Sequence, residues 1–323
     1  MINQNTRNTD SPDDLPVWAA ETLGNCHCCP RDCKADRFSH QPGWCRAGAD
    51  FWVSSICAHH GEEPVLSGPR GMCNIFFSHC NMQCIFCQNY QISDNRLDAT
   101  ADSMTLDEIA GQIQRILDLG AKGVGFVSPS HFVPQMRMIM HTLHRRGLHP
   151  TYVYNTNGYD TTDMIASLSE EIDVYLPDFK YMDGRIAGEY SATPDYPEIA
   201  SGSVREMFRQ KGADITLDDE GYITSGLIIR HLVLPGHVDN SKRVLRYIAE
   251  KLSPDIYISL MSQYYPTVRV AGHPRLGRTL YPEEYHEVLD EFTALGFHRG
   301  FVQELSSPHH YKPDFMKEHP FED

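Results

Sequence analysis

Short apolar runs alternate with longer amphipathic ones from residue 71 onward. Six runs read as buried strands: 73–78, 123–128, 151–155, 172–179, 227–234 and 256–261. Each is apolar on both faces, as a parallel strand covered on both sides must be. Between them the period changes to that of a helix. Leu106, Ile109, Ala110, Ile113, Ile116 and Leu117 form one stripe, with Thr105 and Glu108 spaced as a capping box and Gly120 at its end. Met136, Ile139, Met140 and Leu143 mark a second helix, and Val244, Leu245, Ile248 and Leu252 a third. Tyr285, Val288, Leu289 and Phe292 mark a fourth, with Pro282 in its first turn and Gly296 beyond its end. Strand–helix alternation predicts a parallel sheet with right-handed crossovers. Six units make a partial (β/α)6 TIM-like barrel of the α/β class, preceded by a small Cys-rich segment.

The chain divides into four zones on this pattern. Residues 1–20 are polar and acidic and read as a disordered leader. Residues 21–70 hold six of the ten cysteines. Residues 71–305 form the barrel, and 306–323 a C-terminal tail whose His309-His310 pair reads as surface.

Charge and composition narrow the function. The net charge of −15 argues against nucleic acid, whose phosphates are met by clustered Lys and Arg. No secretory signal and no membrane-length apolar run is present, which predicts a cytoplasmic protein with no membrane partner. Cysteines stay reduced in that compartment, so ten of them point to metal rather than disulfides.

The sharpest motif follows the first predicted strand. Cys80, Cys84 and Cys87 stand as Cys-x3-Cys-x2-Cys. A structural zinc wants four protein ligands, which here would require Cys73 or His79. Three thiolates on one short loop suit an iron–sulfur cubane with one iron left open. The N-terminal segment carries a second set: Cys26, Cys29, Cys33 and Cys45, with Cys28 as a spare and Cys57 and Cys73 as core residues. That set fits zinc or an iron–sulfur cluster, and plain buried or redox-active thiols are the alternative. His59-His60-Gly61-Glu62-Glu63 is a further polar knot and reads as solvated surface.

The triplet with Phe86 as Cys-x3-Cys-x-aromatic-Cys resembles the radical S-adenosylmethionine superfamily. The flanking Ile75-Phe76-Phe77-Ser78 and Gln88-Asn89-Tyr90-Gln91-Ile92-Ser93 resemble the branch of pyruvate formate-lyase activating enzymes, and more narrowly an activating enzyme-like branch. The resemblance implies a [4Fe-4S] cluster on Cys80, Cys84 and Cys87, S-adenosylmethionine as cofactor, and an electron donor such as flavodoxin or ferredoxin. It also implies cofactor contacts from Phe86, Ser128, Asn155, Asp178 and Lys180. Asp178-Phe179-Lys180 resembles the family's Asp-Leu-Lys block, and Asn155-Thr156-Asn157-Gly158 its Asp-Thr-Asn-Gly block, with Asn in place of the acid. Ser128-Pro129-Ser130 stands where relatives carry Gly-Gly-Glu, and His79 where they carry Gly. The implied reaction is reductive cleavage to a 5′-deoxyadenosyl radical, acting on a glycyl residue of a partner, another protein or peptide, or a small molecule. An incomplete barrel leaves a lateral opening that suits an extended peptide. A non-enzymatic zinc or iron–sulfur scaffold or electron carrier, and a thiol redox enzyme, are the competing readings.

Overall fold

The sheet is built from ten strands: β1 (Phe51–His59), β2 (Met72–Phe77), β3 (Ser103–Met104), β4 (Gly123–Val127), β5 (Thr151–Thr156), β6 (Val174–Pro177), β7 (Thr216–Leu217), β8 (Ile223–Leu232), β9 (Tyr257–Met261) and β10 (Gly300–Val302). This computed structural model describes residues 15–39, 43–305, 313–317 and 320–321. The order is β10-β9-β8-β6-β5-β4-β2-β1-β3, with β7 paired to β8. From β2 to β10 every pairing along that path is parallel. β1 and β3 extend the β2 edge in antiparallel fashion.

All six expected parallel strands are present, and β10 adds a seventh at the far edge. Its three residues give too short a run to register as a period. β1 lies inside the Cys-rich segment, so that segment joins the barrel sheet rather than standing apart from it. The helix Val17–Gly24 begins before the expected end of the leader at residue 20, and His309-His310 lie outside the described residues.

The four expected helices form: Leu106–Asp118, Val133–Arg145, Val238–Lys251 and Pro282–Ala294. The Thr105 hydroxyl accepts from the Glu108 amide at 3.2 Å while Glu108 accepts from the Thr105 amide at 2.8 Å. A cap of this kind stabilises its helix by about 1 kcal/mol. The helices cover the outer face of the sheet, where most of the core lies. A second cluster fills the lumen: Met72, Val153, Val174, Leu176 and Ile228 from the strands, joined by Leu66. Leu66 belongs to the short turn Pro64–Ser67, so the chain after β1 turns into the barrel. Among the described residues no helix is long and apolar enough to cross a membrane.

Candidate active site

The C-terminal ends of the parallel strands converge on one side, where such barrels place their chemistry. The loop after β2 begins with His79, whose φ of +67° is left-handed. Glycine adopts that conformation freely, whereas a histidine must be held in it. His79 holds it through its amide, which donates to Ile92 O at 2.7 Å, and its ring, which meets Trp52 edge-on at 5.4 Å.

The loop sets out three sulfurs, each accepting a hydrogen bond. Cys80 Sγ accepts from Met82 N at 3.4 Å and Asn157 Nδ2 at 3.5 Å. Cys84 Sγ accepts from Ser191 Oγ at 3.0 Å, and Cys87 Sγ from Ser93 Oγ at 3.3 Å. Such donors favour thiolates and tune any iron they bind. Burial pushes the Cys84 thiol up to about 11, against the pull of the Lys180 ammonium. Phe86 is buried and packs on Tyr264 just beyond β9, with ring centroids 5.9 Å apart.

Asp178 and Lys180 sit beside the loop. Lys180 Nζ donates to Asp178 Oδ2 at 2.5 Å, and Asp178 Oδ1 lies 3.3 Å from Arg230 Nε. Burial alone would raise the Asp178 carboxyl, but the two cations outweigh it and hold it below the usual range. The backbone here is pinned by Tyr196, whose hydroxyl shares its one proton between Asp178 O and Asn157 O and accepts from the Lys180 amide at 3.0 Å. Gly158 makes this possible, because a Cβ there would stand 2.3 Å from Asp178 O and its φ is +81°.

A cavity of about 150 Å³ lies below, lined by Ser128, Asn155, Asp178, Arg230, Gln263 and Glu62 among others. Glu62 is not on the surface, as the polar knot had suggested. Its Oε1 accepts from Asn74 Nδ2 at 2.9 Å and Asn155 Nδ2 at 3.3 Å, and its Oε2 from Arg230 Nη1 at 2.9 Å. Glu63 is buried as well. The reason is the turn into the lumen, where Arg230 from β8 supplies a cation for these carboxylates. Gly125 leaves room for the arrangement, since a Cβ there would stand 2.3 Å from Asn74 Oδ1. The tail also returns to this place. Phe315 and Phe321 pack on Phe76 at 5.2 and 5.4 Å, and Phe321 on His59 at 4.1 Å. These tail residues cover the cavity beside Phe76 and His59. A larger groove of about 980 Å³, lined by Trp18, Arg137 and Tyr152, contains none of the strand-end residues just named.

The N-terminal thiols form a separate nest. Cys26, Cys28, Cys29 and Cys45 are buried, while Cys33 is exposed. Arg37, 3% exposed, donates to Cys26 Sγ at 3.1 Å and to His131 O at 2.7 Å. The nest touches the loop of the triplet: Arg31 donates to Asn81 O at 2.9 Å, and Asn95 bridges Trp44 O and Cys80 O. Among the described residues, no three Cys, His, Asp or Glu side chains are grouped so as to hold a single metal ion. A cubane does not ask for that convergence, because each of its thiolates binds a different iron. The triplet's three hydrogen-bonded sulfurs on one loop fit such a group.

Residues 74–199 match the radical SAM superfamily. Across 283 residues the chain is 30% identical to the uncharacterized protein MJ0674 of Methanocaldococcus jannaschii, covering 86% of this chain and 77% of that one. The chain belongs to the radical SAM superfamily. It is accordingly an enzyme, and the scaffold and electron-carrier readings fall away. A [4Fe-4S] cluster and S-adenosylmethionine are what this family implies. Among solved structures, Streptococcus suis SuiB bound to the precursor peptide SuiA is 12% identical, with a TM-score of 0.47 over 72% of this chain and 48% of SuiB. The chain thus spans about half of SuiB. A domain of pyruvate-formate lyase-activating enzyme from Bacteroides vulgatus is 14% identical, with a TM-score of 0.36 over 53% of this chain and 92% of that domain.

Three features of this radical SAM enzyme's site were not foreseen from sequence. Ser191 lies far along the chain from Cys84, and nothing local marks it. Arg230 sits within an apolar strand, which is itself a signal, because a buried guanidinium needs a partner. Glu62 and Glu63 required the turn into the lumen to be known.

Proposed function

We propose that this enzyme cleaves S-adenosylmethionine at a cluster on Cys80, Cys84 and Cys87 and directs the radical to hydrogen abstraction from a substrate, as an activating enzyme does for a protein target. The observation that carries this reading is the set of three sulfurs, each with its own hydrogen-bond donor, beside the Asp178–Lys180 pair. When both groups are bound, the chemistry supplied is one-electron cleavage of the sulfonium to methionine and a 5′-deoxyadenosyl radical.

The chain's residues then have distinct tasks. Lys180 offers an ammonium to the cofactor carboxylate, exchanging part of its bond to Asp178. Asp178 and Asn155 line the cavity as polar anchors, and Ser128 offers its hydroxyl at the end of β4. Phe86 fixes the loop against Tyr264 and excludes water. The electron comes from a donor such as flavodoxin or ferredoxin. Cys26, Cys29, Cys33 and Cys45 are proposed to hold a second metal group, an iron–sulfur cluster rather than zinc, because no three of these side chains converge as a single zinc ion requires. Arg31 of the same segment donates to Asn81 O, and Asn95 links Trp44 O to Cys80 O, which supports a structural role of this segment toward the cluster loop.

The test is anaerobic reconstitution with iron and sulfide, reduction, addition of S-adenosylmethionine and chromatography for 5′-deoxyadenosine. Nucleoside formation that disappears when Cys80, Cys84 and Cys87 are all changed to Ala is expected. An assembled cluster that neither binds nor cleaves the cofactor would overturn the reading. Replacing Cys26 and Cys29 together is expected to lower metal content while leaving the triplet's iron. Metal analysis showing no loss would refute the second site.

A further inference from the structure

Arg31 belongs to the N-terminal segment, yet it reaches two backbone positions beside the cluster sulfurs. Its Nε donates to Asn81 O at 2.9 Å and its Nη2 to Ala192 O at 2.8 Å, across 50 and 161 residues of chain. The guanidinium lies 3.8 Å from the centre of the Trp44 ring and 5.2 Å from that of Tyr159. Two rings and two carbonyls thus fix its plane.

Each carbonyl leads to a sulfur. Asn81 O belongs to the peptide between Asn81 and Met82, and the Met82 amide of that peptide donates to Cys80 Sγ at 3.4 Å. A peptide is planar, so holding its oxygen aims its N–H. Ala192 follows Ser191, whose hydroxyl donates to Cys84 Sγ at 3.0 Å. Ala192 is left-handed, with φ +55°, a conformation that alanine keeps only where its surroundings hold it. Just before it, Tyr190 O accepts from the Ile85 amide at 2.8 Å and Ser191 O from the Gln83 amide at 3.3 Å. The end of the helix Gly184–Ser191 and the cluster loop therefore meet as one unit, and the guanidinium bridges the two.

We propose that Arg31 is a positioning residue for the cluster. By gripping the Asn81 and Ala192 carbonyls it sets the hydrogen bonds to Cys80 and Cys84, and through them the ease with which the cluster takes its electron. Charge alone does not perform this task. A lysine carries the same charge, but its single ammonium lacks the planar fork that spans two fixed acceptors. The proposal rests on the reading of Cys80, Cys84 and Cys87 as cluster ligands.

The experiment is a redox titration of the reconstituted enzyme followed by electron paramagnetic resonance. It compares wild type, Arg31→Lys, Arg31→Gln, Ser191→Ala and the double variant of Arg31→Lys with Ser191→Ala. The triplet's signal is the one lost when Cys80, Cys84 and Cys87 are changed to Ala. Arg31→Lys and Arg31→Gln are expected to keep their iron and to lower the triplet's midpoint. At the wild-type midpoint potential the ratio of reduced to oxidised cluster should fall at least threefold in both. In the Ser191→Ala background, Arg31→Lys is expected to move the midpoint less than half as far, because the two changes act on one bond. A wild-type midpoint in Arg31→Lys would leave only a charge effect and overturns the positioning role. A full-sized shift in the Ser191→Ala background overturns it as well. If neither Arg31 variant folds or holds the triplet's iron, Arg31 builds the loop rather than tuning it, and the proposal falls. Unchanged midpoints together with 5′-deoxyadenosine formation sink the positioning role alone. A wild-type enzyme that assembles no cluster on the triplet sinks the radical reading itself.

Discussion

Asp178 stands between two cations, and that position determines what removing Lys180 does. Lys180→Ala leaves Asp178 with Arg230, so the carboxylate stays compensated and the local fold survives. What disappears is the ammonium offered to the cofactor. A charge-assisted bond contributes about 1.5–3 kcal/mol, so affinity for S-adenosylmethionine is expected to fall at least tenfold with the iron content unchanged. Calorimetry giving the wild-type affinity would remove Lys180 from the site. Ser191 allows a different test, because its hydroxyl reaches Cys84 Sγ from another part of the chain. Hydrogen bonds to cluster sulfurs raise the reduction potential. Ser191→Ala is therefore expected to lower the cluster's midpoint while keeping its iron, and a redox titration with no shift would show that the bond is idle. Both residues illustrate what a sequence can hold. Lys180 was legible because it sits two positions from Asp178 at the end of a strand. Ser191 was not, because a serine at the end of a short helix has no pattern of its own.

Elements were legible where one physical pattern dominated. The six parallel strands are apolar on both faces, and the helix Leu106–Asp118 has both a stripe and a cap. The helix Tyr196–Lys211 has neither. It buries Ala200, Ser201, Ser203 and Val204, small residues that allow close approach without a strong apolar stripe. Its Gly202 lies so near Thr162 that a Cβ would stand 2.9 Å from Oγ1. β1 escaped notice because Ser54 and Ser55 break its apolar run, and Ser54 hydrogen-bonds to Ser78 and Asp102. The helix Pro282–Ala294 supports a test of how its elements are joined. Glu284 takes both guanidinium nitrogens of Arg278 at 2.7 and 2.8 Å, and accepts from Tyr281 N and Gly236 N. Arg278 and these donors hold the carboxyl down at about 2. Folding thus favours the ionised form. Its contribution is complete above the ordinary carboxylate value of about 4.3 and is lost as pH falls through about 2. Because Glu284 remains partly solvated, Glu284→Gln is expected to cost about 1–2 kcal/mol at pH 7. Urea melts at descending pH should bring variant and wild type together, and a difference that is undiminished at pH 2 would refute the clamp.

At the scale of the molecule, an incomplete barrel must do something with its open side. In this chain β1 lengthens the β2 edge, the turn after it carries Glu62, Glu63 and Leu66 into the lumen, and the tail lies over Phe76 and His59. Among the described residues Gln91 fastens the tail: its Nε2 donates to Asp314 Oδ1 at 2.9 Å, and its Oε1 accepts from the Phe315 amide at 2.9 Å. These bonds and the rings of Phe315 and Phe321 hold the tail against the cavity. A chain ending at residue 312 should keep its cluster, because the triplet's donors among the described residues are Met82, Ser93, Asn157 and Ser191. It should also exchange S-adenosylmethionine several-fold faster, because Pro313 and Phe321 no longer line the cavity. Stopped-flow displacement of the bound cofactor measures that rate directly. An unchanged rate with intact iron would mean that the cofactor leaves by another path and that the aromatic cover serves only to bury Phe76.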